Sequence, residues 1–151
     1  KQNTWKRLIA WGQHPPKLRK HTAVSAGDKM LVFGGDDGLR TLYRKDLWEY
    51  SMKRNKWKQL KPKGRGPSER AAHTAVSAGD KMLVFGGEKK EQNKKHLLMD
   101  LWEYSMKQNT WKQLNKTMLL RRGKRKDVTW KTIVHVWQAQ LCRPGAVKSV
   151  R

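Results

Sequence analysis

Apolar positions in this chain fall into short runs that recur in one order. In residues 21–26 small apolar and hydroxyl residues lead into Gly27-Asp28, and residues 29–33 follow with Met30, Leu31, Val32 and Phe33. Two runs separated by a Gly-Asp pair read as a β-hairpin. The second run is apolar throughout rather than alternating, which predicts burial on both faces. Gly34-Gly35 then supplies backbone freedom and is expected to end that strand. In the next run Trp48, Tyr50 and Met52 share one face, because alternate residues of a strand point the same way. Trp57 and Leu60 mark a fourth run. The pattern predicts four short antiparallel strands over residues 21–60 and no helix.

The whole pattern then repeats. HTAVSAGDKMLVFGG occurs at 21–35 and again, unchanged, at 73–87, fifty-two positions on. DLWEYSM at 46–52 returns at 100–106, and NKWKQL at 55–60 returns as NTWKQL at 109–114, now at a spacing of fifty-four. Two residues have therefore been added between Gly87 and Asp100, and insertions collect in loops. A partial copy, NTWKRL at 3–8, opens the chain. Identical units stack because each must bury the same face against its neighbour.

Four apolar residues before Gly-Gly, then a Tyr and a Trp with six residues between them, resemble the kelch repeat. Met30 to Phe33, Gly34, Gly35, Tyr50 and Trp57 fit it, as do Met82 to Phe85, Gly86, Gly87, Tyr104 and Trp111. Arg70 fits the Arg that often stands three residues before the repeat's His, whereas the first unit has Leu18 there beside Arg19. The resemblance covers residues 3–114 and implies an all-β fold, an incomplete kelch-type β-propeller. It would hold two four-stranded blades (21–60 and 73–114), the outer strand of a preceding blade (3–8) and a degenerate basic tail (115–151). Propellers close with about 4–8 blades, so the chain reads as a fragment of a larger propeller. In the tail the expected Gly-Gly is missing, although Val128, Trp130, Thr132, Val134 and Val136 alternate like a strand.

Charge changes the picture of partners, not of fold. Thirty-five Lys and Arg against twelve Asp and Glu leave +23. Up to Leu114 there are 25 basic and 11 acidic residues, and from Asn115 onward 10 basic residues face only Asp127. Such a field attracts polyanions and acidic surfaces without specificity. Cys142 is the only cysteine, which excludes an internal disulfide and fits a reducing compartment. The assignment is cytoplasmic, with the nucleus open to it through the basic cluster at 121–126. No run approaches the roughly 20 apolar residues of a membrane span.

Candidate chemistry concentrates in loops. With strand direction alternating, the turns at Gly27-Asp28 and Lys53-Arg54 share one end of a blade. Segments 36–45, 61–72 and 88–99 share the other and are longer, as binding loops on a rigid scaffold usually are. They are basic. Arg44, Lys45, Lys63, Arg65, Arg70, Lys89 and Lys90 are the candidate partner-binding residues, suited to an acidic or phosphorylated protein segment. The blade-forming residues are Gly34, Gly35, Tyr50, Trp57, Gly86, Gly87, Tyr104 and Trp111. His21 and His73 recur at equivalent places, which argues for packing rather than metal binding. No GxGxxG, P-loop, HExxH or GxSxG pattern is present. The sequence reads as non-enzymatic, with no catalytic residue, metal ligand or cofactor assigned. The leading reading is a kelch protein-interaction scaffold. The alternative is a nucleic-acid or polyanion binder driven by the basic tail.

Overall fold

Each repeat folds as one sheet. In the first unit β2 (Thr22–Ala26), β3 (Lys29–Phe33), β4 (Leu47–Ser51) and β5 (Lys56–Leu60) pair antiparallel in sequence order. In the second, β6 (Thr74–Ala78), β7 (Lys81–Glu91), β8 (Lys94–Ser105) and β9 (Thr110–Gln113) do the same. A short β1 (Trp11–Gly12) joins the outer edge of the first sheet, parallel to β5. The computed structural model describes residues 3–38, 42–92 and 94–114, all within one compact unit, Lys1–Met118. The tail 115–151 lies outside them. Among the described residues there is no helix, hence none long and apolar enough to cross a membrane.

Register follows the repeat. Ala26 pairs with Lys29 across Gly27-Asp28, and Ala78 with Lys81 across Gly79-Asp80. Tyr50 pairs with Trp57 and Tyr104 with Trp111, their rings 5.1 and 5.2 Å apart. The six-residue spacing of Tyr and Trp is thus the geometry of a cross-strand aromatic pair.

The two sheets meet at their innermost strands, β2 and β6. One face of the first sheet contributes Val24, Ala26, Leu31, Phe33 and Leu47 to a shared core. The opposite kind of face of the second sheet answers with Met82, Val84, Trp102 and Tyr104. Leu31 and Phe33 are fully buried, and each such side chain stabilises the packed pair by about 1.5–3 kcal/mol. Phe33 lies edge-on to His73 at 5.3 Å and packs on Trp111 at 5.2 Å. Both are residues of the second repeat.

An asparagine fixes each link to its sheet. Tyr104 Oη donates to Asn109 Oδ1 at 2.9 Å, and Asn109 Nδ2 donates to the Lys61 carbonyl at 3.1 Å. Asn55 does the same between Tyr50 Oη and the Ile9 carbonyl. Both asparagines have positive φ, 48° and 52°, a region Asn tolerates better than most residues. Burial, and then the Glu49 carboxylate, push the Tyr104 hydroxyl up to about 12, so it remains a donor.

Three expectations are corrected. Residues 3–8 form no strand, and Trp5 is wholly exposed; an outer strand forms only against a strand inside it, and residues 3–8 pair with none of the described strands. Segment 88–99 is not a loop. The β7–β8 ladder continues through Glu88↔Leu97, Lys89↔His96, Lys90↔Lys95 and Glu91↔Lys94, making a projecting hairpin. Consequently Gly86-Gly87 does not end a strand but sits at a register shift between Phe85 and Gly87, whereas β3 does end at Phe33. The two added residues give the chain enough length to turn at the tip, at Gln92, where φ is 47°. In the shorter first unit the described residues beyond the glycines pair through the bridge between Asp36 and Tyr43, with Asp37 N donating to the Leu42 carbonyl at 3.2 Å.

Candidate functional site

The groove with the densest cluster of predicted site residues lies at the end of the sheets where the long connections gather. It has a volume of about 550 Å³. Tyr43, Arg44, Lys45 and Asp46 line it together with Glu69 of the link and Lys90 and Gln92 of the hairpin. Backbone bonds hold Arg44 in place. Arg44 N donates to the Gly35 carbonyl, and the Arg44 carbonyl accepts from Arg70 N of the link. Arg44 Nε is buried without a hydrogen-bond partner, and an unpaired buried donor costs about 1–3 kcal/mol.

Glu88 anchors the hairpin base. Its carboxylate accepts from Tyr43 Oη at 3.1 Å, Lys95 Nζ at 3.1 Å and Lys20 Nζ at 3.4 Å. Burial pushes this carboxyl up, but the bonds from Lys95, Tyr43 and Lys20 outweigh it and hold it below its ordinary value. Tyr43 belongs to the first blade and Lys20 to the segment that leads into it, so Glu88 ties the units together at this end.

The predicted binding residues divide. Arg44, Lys45 and Lys90 converge on the groove. Lys45 also lines a neighbouring groove of about 420 Å³ with exposed Arg65 and the Trp111 ring. Lys63 is exposed at the outer edge, bridged to Thr110, and Lys89 pairs with Glu91 at 2.7 Å on the hairpin surface.

Arg70 is the correction. It is fully buried and unavailable to a partner. Its guanidinium donates to both Asp100 oxygens, at 2.7 and 2.9 Å, and to the Gly86 carbonyl at 3.0 Å. Trp102 Nε1 donates to the same carboxylate at 2.7 Å. Burial pushes the Asp100 carboxyl up, yet the Arg70 and Trp102 bonds bring it below the ordinary carboxylate value. The first unit shows what this arrangement supplies by lacking it. With Leu18 in place of the arginine, Asp46 accepts from Gln59 instead, and Trp48 Nε1 is left buried without a partner.

A basic groove at the opposite end was not anticipated. Lys29, Lys53, Arg54, Lys56 and Lys58 line about 590 Å³ with Asp28 and Glu49, and Lys29 pairs with Glu49 at 3.0 Å. Lys56 and Lys58, which share a face of β5, and Lys53 and Arg54 just before that strand carried the signal.

The profile of the KLHDC2/KLHL20/DRC7 Kelch-repeats domain matches residues 1–134. The chain belongs to the kelch-repeat family. Its two sheets are therefore kelch blades, and the described residues form an incomplete propeller with no closed ring. Among curated relatives, the leucine-zipper-like transcriptional regulator 1 homolog of Drosophila melanogaster is 34% identical over 111 residues, which is 71% of this chain and 11% of that protein. Human Kelch domain-containing protein 3 is 32% identical over 87 residues, 54% of this chain and 23% of its own length. Human Host cell factor 2 is 37% identical over 89 residues, 55% of this chain and 11% of its length. The chain thus spans a quarter or less of these kelch relatives.

Proposed function

We propose that this chain is a protein-interaction scaffold, part of a kelch propeller, whose loop-end groove grips an acidic or phosphorylated segment of a partner protein. The observation that carries the reading is the convergence of Arg44, Lys45 and Lys90 on one groove. A carboxylate or phosphate oxygen entering the groove would meet the positive charge of Arg44 and two ammonium groups. Arg offers planar, directional hydrogen bonding to such oxyanions, and Lys adds charge.

The rigid parts support this assignment. The inner hairpins are identical in both blades and cannot distinguish partners, whereas the segments after Gly35 and Gly87 differ in sequence and in structure. The test is calorimetric titration of the full chain with a Glu-rich peptide, its Glu→Gln counterpart and a phosphopeptide. Binding should require the negative charge and weaken in Arg44→Ala and Lys45→Ala. Equal affinity for the Gln peptide, or unchanged affinity in both variants, overturns the groove. Duplex DNA titrated at rising salt tests the alternative: tight, steeply salt-dependent binding unaffected by Arg44→Ala would favour the basic tail.

A further inference from the structure

The short-turn end of the first blade carries more positive charge than its own carboxylates balance. Lys29, Ser51 and Lys56 pair across β3, β4 and β5, and Glu49 and Lys58 form the next row on the same face. That face also carries Leu31, Phe33 and Leu47 into the core. Lys53 and Arg54 belong to the turn between β4 and β5, and Ser51 Oγ accepts from Arg54 N at 3.3 Å, which fastens the turn to its strand. With Asp28 these residues line a groove of about 590 Å³, in which five cations meet two carboxylates. Lys29 is paired with Glu49 at 3.0 Å. Lys53, Arg54, Lys56 and Lys58 form no ion pair among the described residues.

The second blade is an internal control. Gln108 and Thr110 stand where the first blade has Arg54 and Lys56, and the other six positions lining the groove carry the same residues in both repeats. The backbone frame is also the same: Met52 N donates to the Asp28 carbonyl at 2.9 Å, and Met106 N to the Asp80 carbonyl at 3.0 Å. Both carboxylates of the second blade are paired, Glu103 with Lys81 at 3.0 Å and Asp80 with Lys107 at 3.5 Å. Two substitutions in a repeated setting thus separate a nearly balanced end from one with a clear surplus of cations.

We propose that the short-turn end of the first blade binds a small soluble anion bearing at least two phosphate groups. The volume lies within the range of about 300–1,000 Å³ that small-molecule sites occupy. Each phosphate group brings about −1.5 to −2 charge at neutral pH, so two of them match the surplus. Arg54 offers planar, two-point hydrogen bonding to phosphate oxygens, and the lysines act as compact point charges. The pairing of Glu49 with Lys29 keeps that carboxylate engaged. This site is separate from the loop-end groove and does not rest on it.

Titration of the isotope-labelled full chain with inorganic triphosphate, read by amide chemical shifts, tests this. Amides of residues 28–29 and 49–58 should shift and saturate, whereas those of 107–112 should move little. Arg54→Gln combined with Lys56→Thr installs the residues that the second blade already accommodates, and should weaken binding about tenfold or more. Lys6→Gln combined with Lys17→Gln removes the same charge from exposed positions outside the groove, and should change binding less than about twofold. Citrate, which is charged but carries no phosphate, should bind more weakly than triphosphate. Arg54→Gln alone replaces the double variant should circular dichroism show that variant unfolded. Equal losses in the two double variants overturn the proposal, as do shifts confined to 115–151. Equal affinity for citrate overturns it as well.

Discussion

Thr22 Oγ1, on the inner strand of the first blade, lies 2.6 Å from Nε2 of His73, which opens the second. This imidazole is held neutral. Burial first, then the positive charges of Arg70 and His21, lower its pKa from 6.5 to about 4. At pH 7 it is neutral in folded and unfolded chains alike. Between pH 6.5 and about 4 the unfolded chain takes up a proton that the folded chain refuses, so stability falls as pH falls across that window. The loss should approach about 3 kcal/mol at its acid end. Urea midpoints measured against pH should show this slope, and His73→Gln should flatten it. Asp36, Glu88 and Asp100 have lowered pKa values and act in a separate window, below their ordinary values of 3.8 to 4.5.

Arg70 and Arg65 should behave as opposites. Arg70→Ala leaves the Asp100 carboxylate half-buried without its counter-charge, a loss on the scale of about 3–5 kcal/mol for breaking a buried pair. Arg65 is exposed, and Arg65→Ala should change stability by no more than about 0.5 kcal/mol. Thermal melts of the two variants check both statements. A melting point unmoved by Arg70→Ala would show that the ion pair does not hold the blade.

Asn109→Ala should cost about 1–3 kcal/mol, because the Tyr104 hydroxyl loses its acceptor in a partly buried site. Asn109→Gly retains access to positive φ while removing the same hydrogen bonds. If the glycine variant is as stable as the wild type, backbone strain and not the clamp explains the alanine result. Denaturant unfolding of both variants separates the two.

Gly34 and Gly79 provide a matched pair. Both have positive φ, 64° and 62°, and alanine there costs about 1–2 kcal/mol from conformation alone. A Cβ on Gly79 meets open space, whereas one on Gly34 would come within 2.7 Å of the Arg70 carbonyl and 2.8 Å of His73 Cε1. Gly34→Ala should therefore be clearly the more destabilising, since it pushes the blades apart. Equal midpoints for Gly34→Ala and Gly79→Ala would mean that the blade contact yields freely.

Both sheets were legible in the sequence because repetition states the same strand pattern twice, and turn residues mark the hairpins. The Tyr–Trp spacing likewise named a cross-strand pair. Arg70 was misread for a physical reason: a charged residue in a basic link resembles a solvated one until its partner is known. That partner, Asp100, is thirty residues away, and only the folded blade brings them together. The asparagine clamp was present in the repeat as Asn55 and Asn109, but its task depends on Ile9 and Lys61, which the link delivers from outside the sheet. The hairpin at 88–99 was hidden by its charge, since lysines on a projecting ladder look like a loop.

That hairpin grows in steps of two. One residue added to each strand extends the ladder by a pair and leaves every inner partner, from Glu88↔Leu97 outward to Glu91↔Lys94, in place. A single added residue would force a bulge or a different turn and reorient the tip. Reach can thus be lengthened or shortened in this blade while its base remains fastened by Glu88. Parity, more than composition, decides which length variants of this arm keep their side chains on the same side.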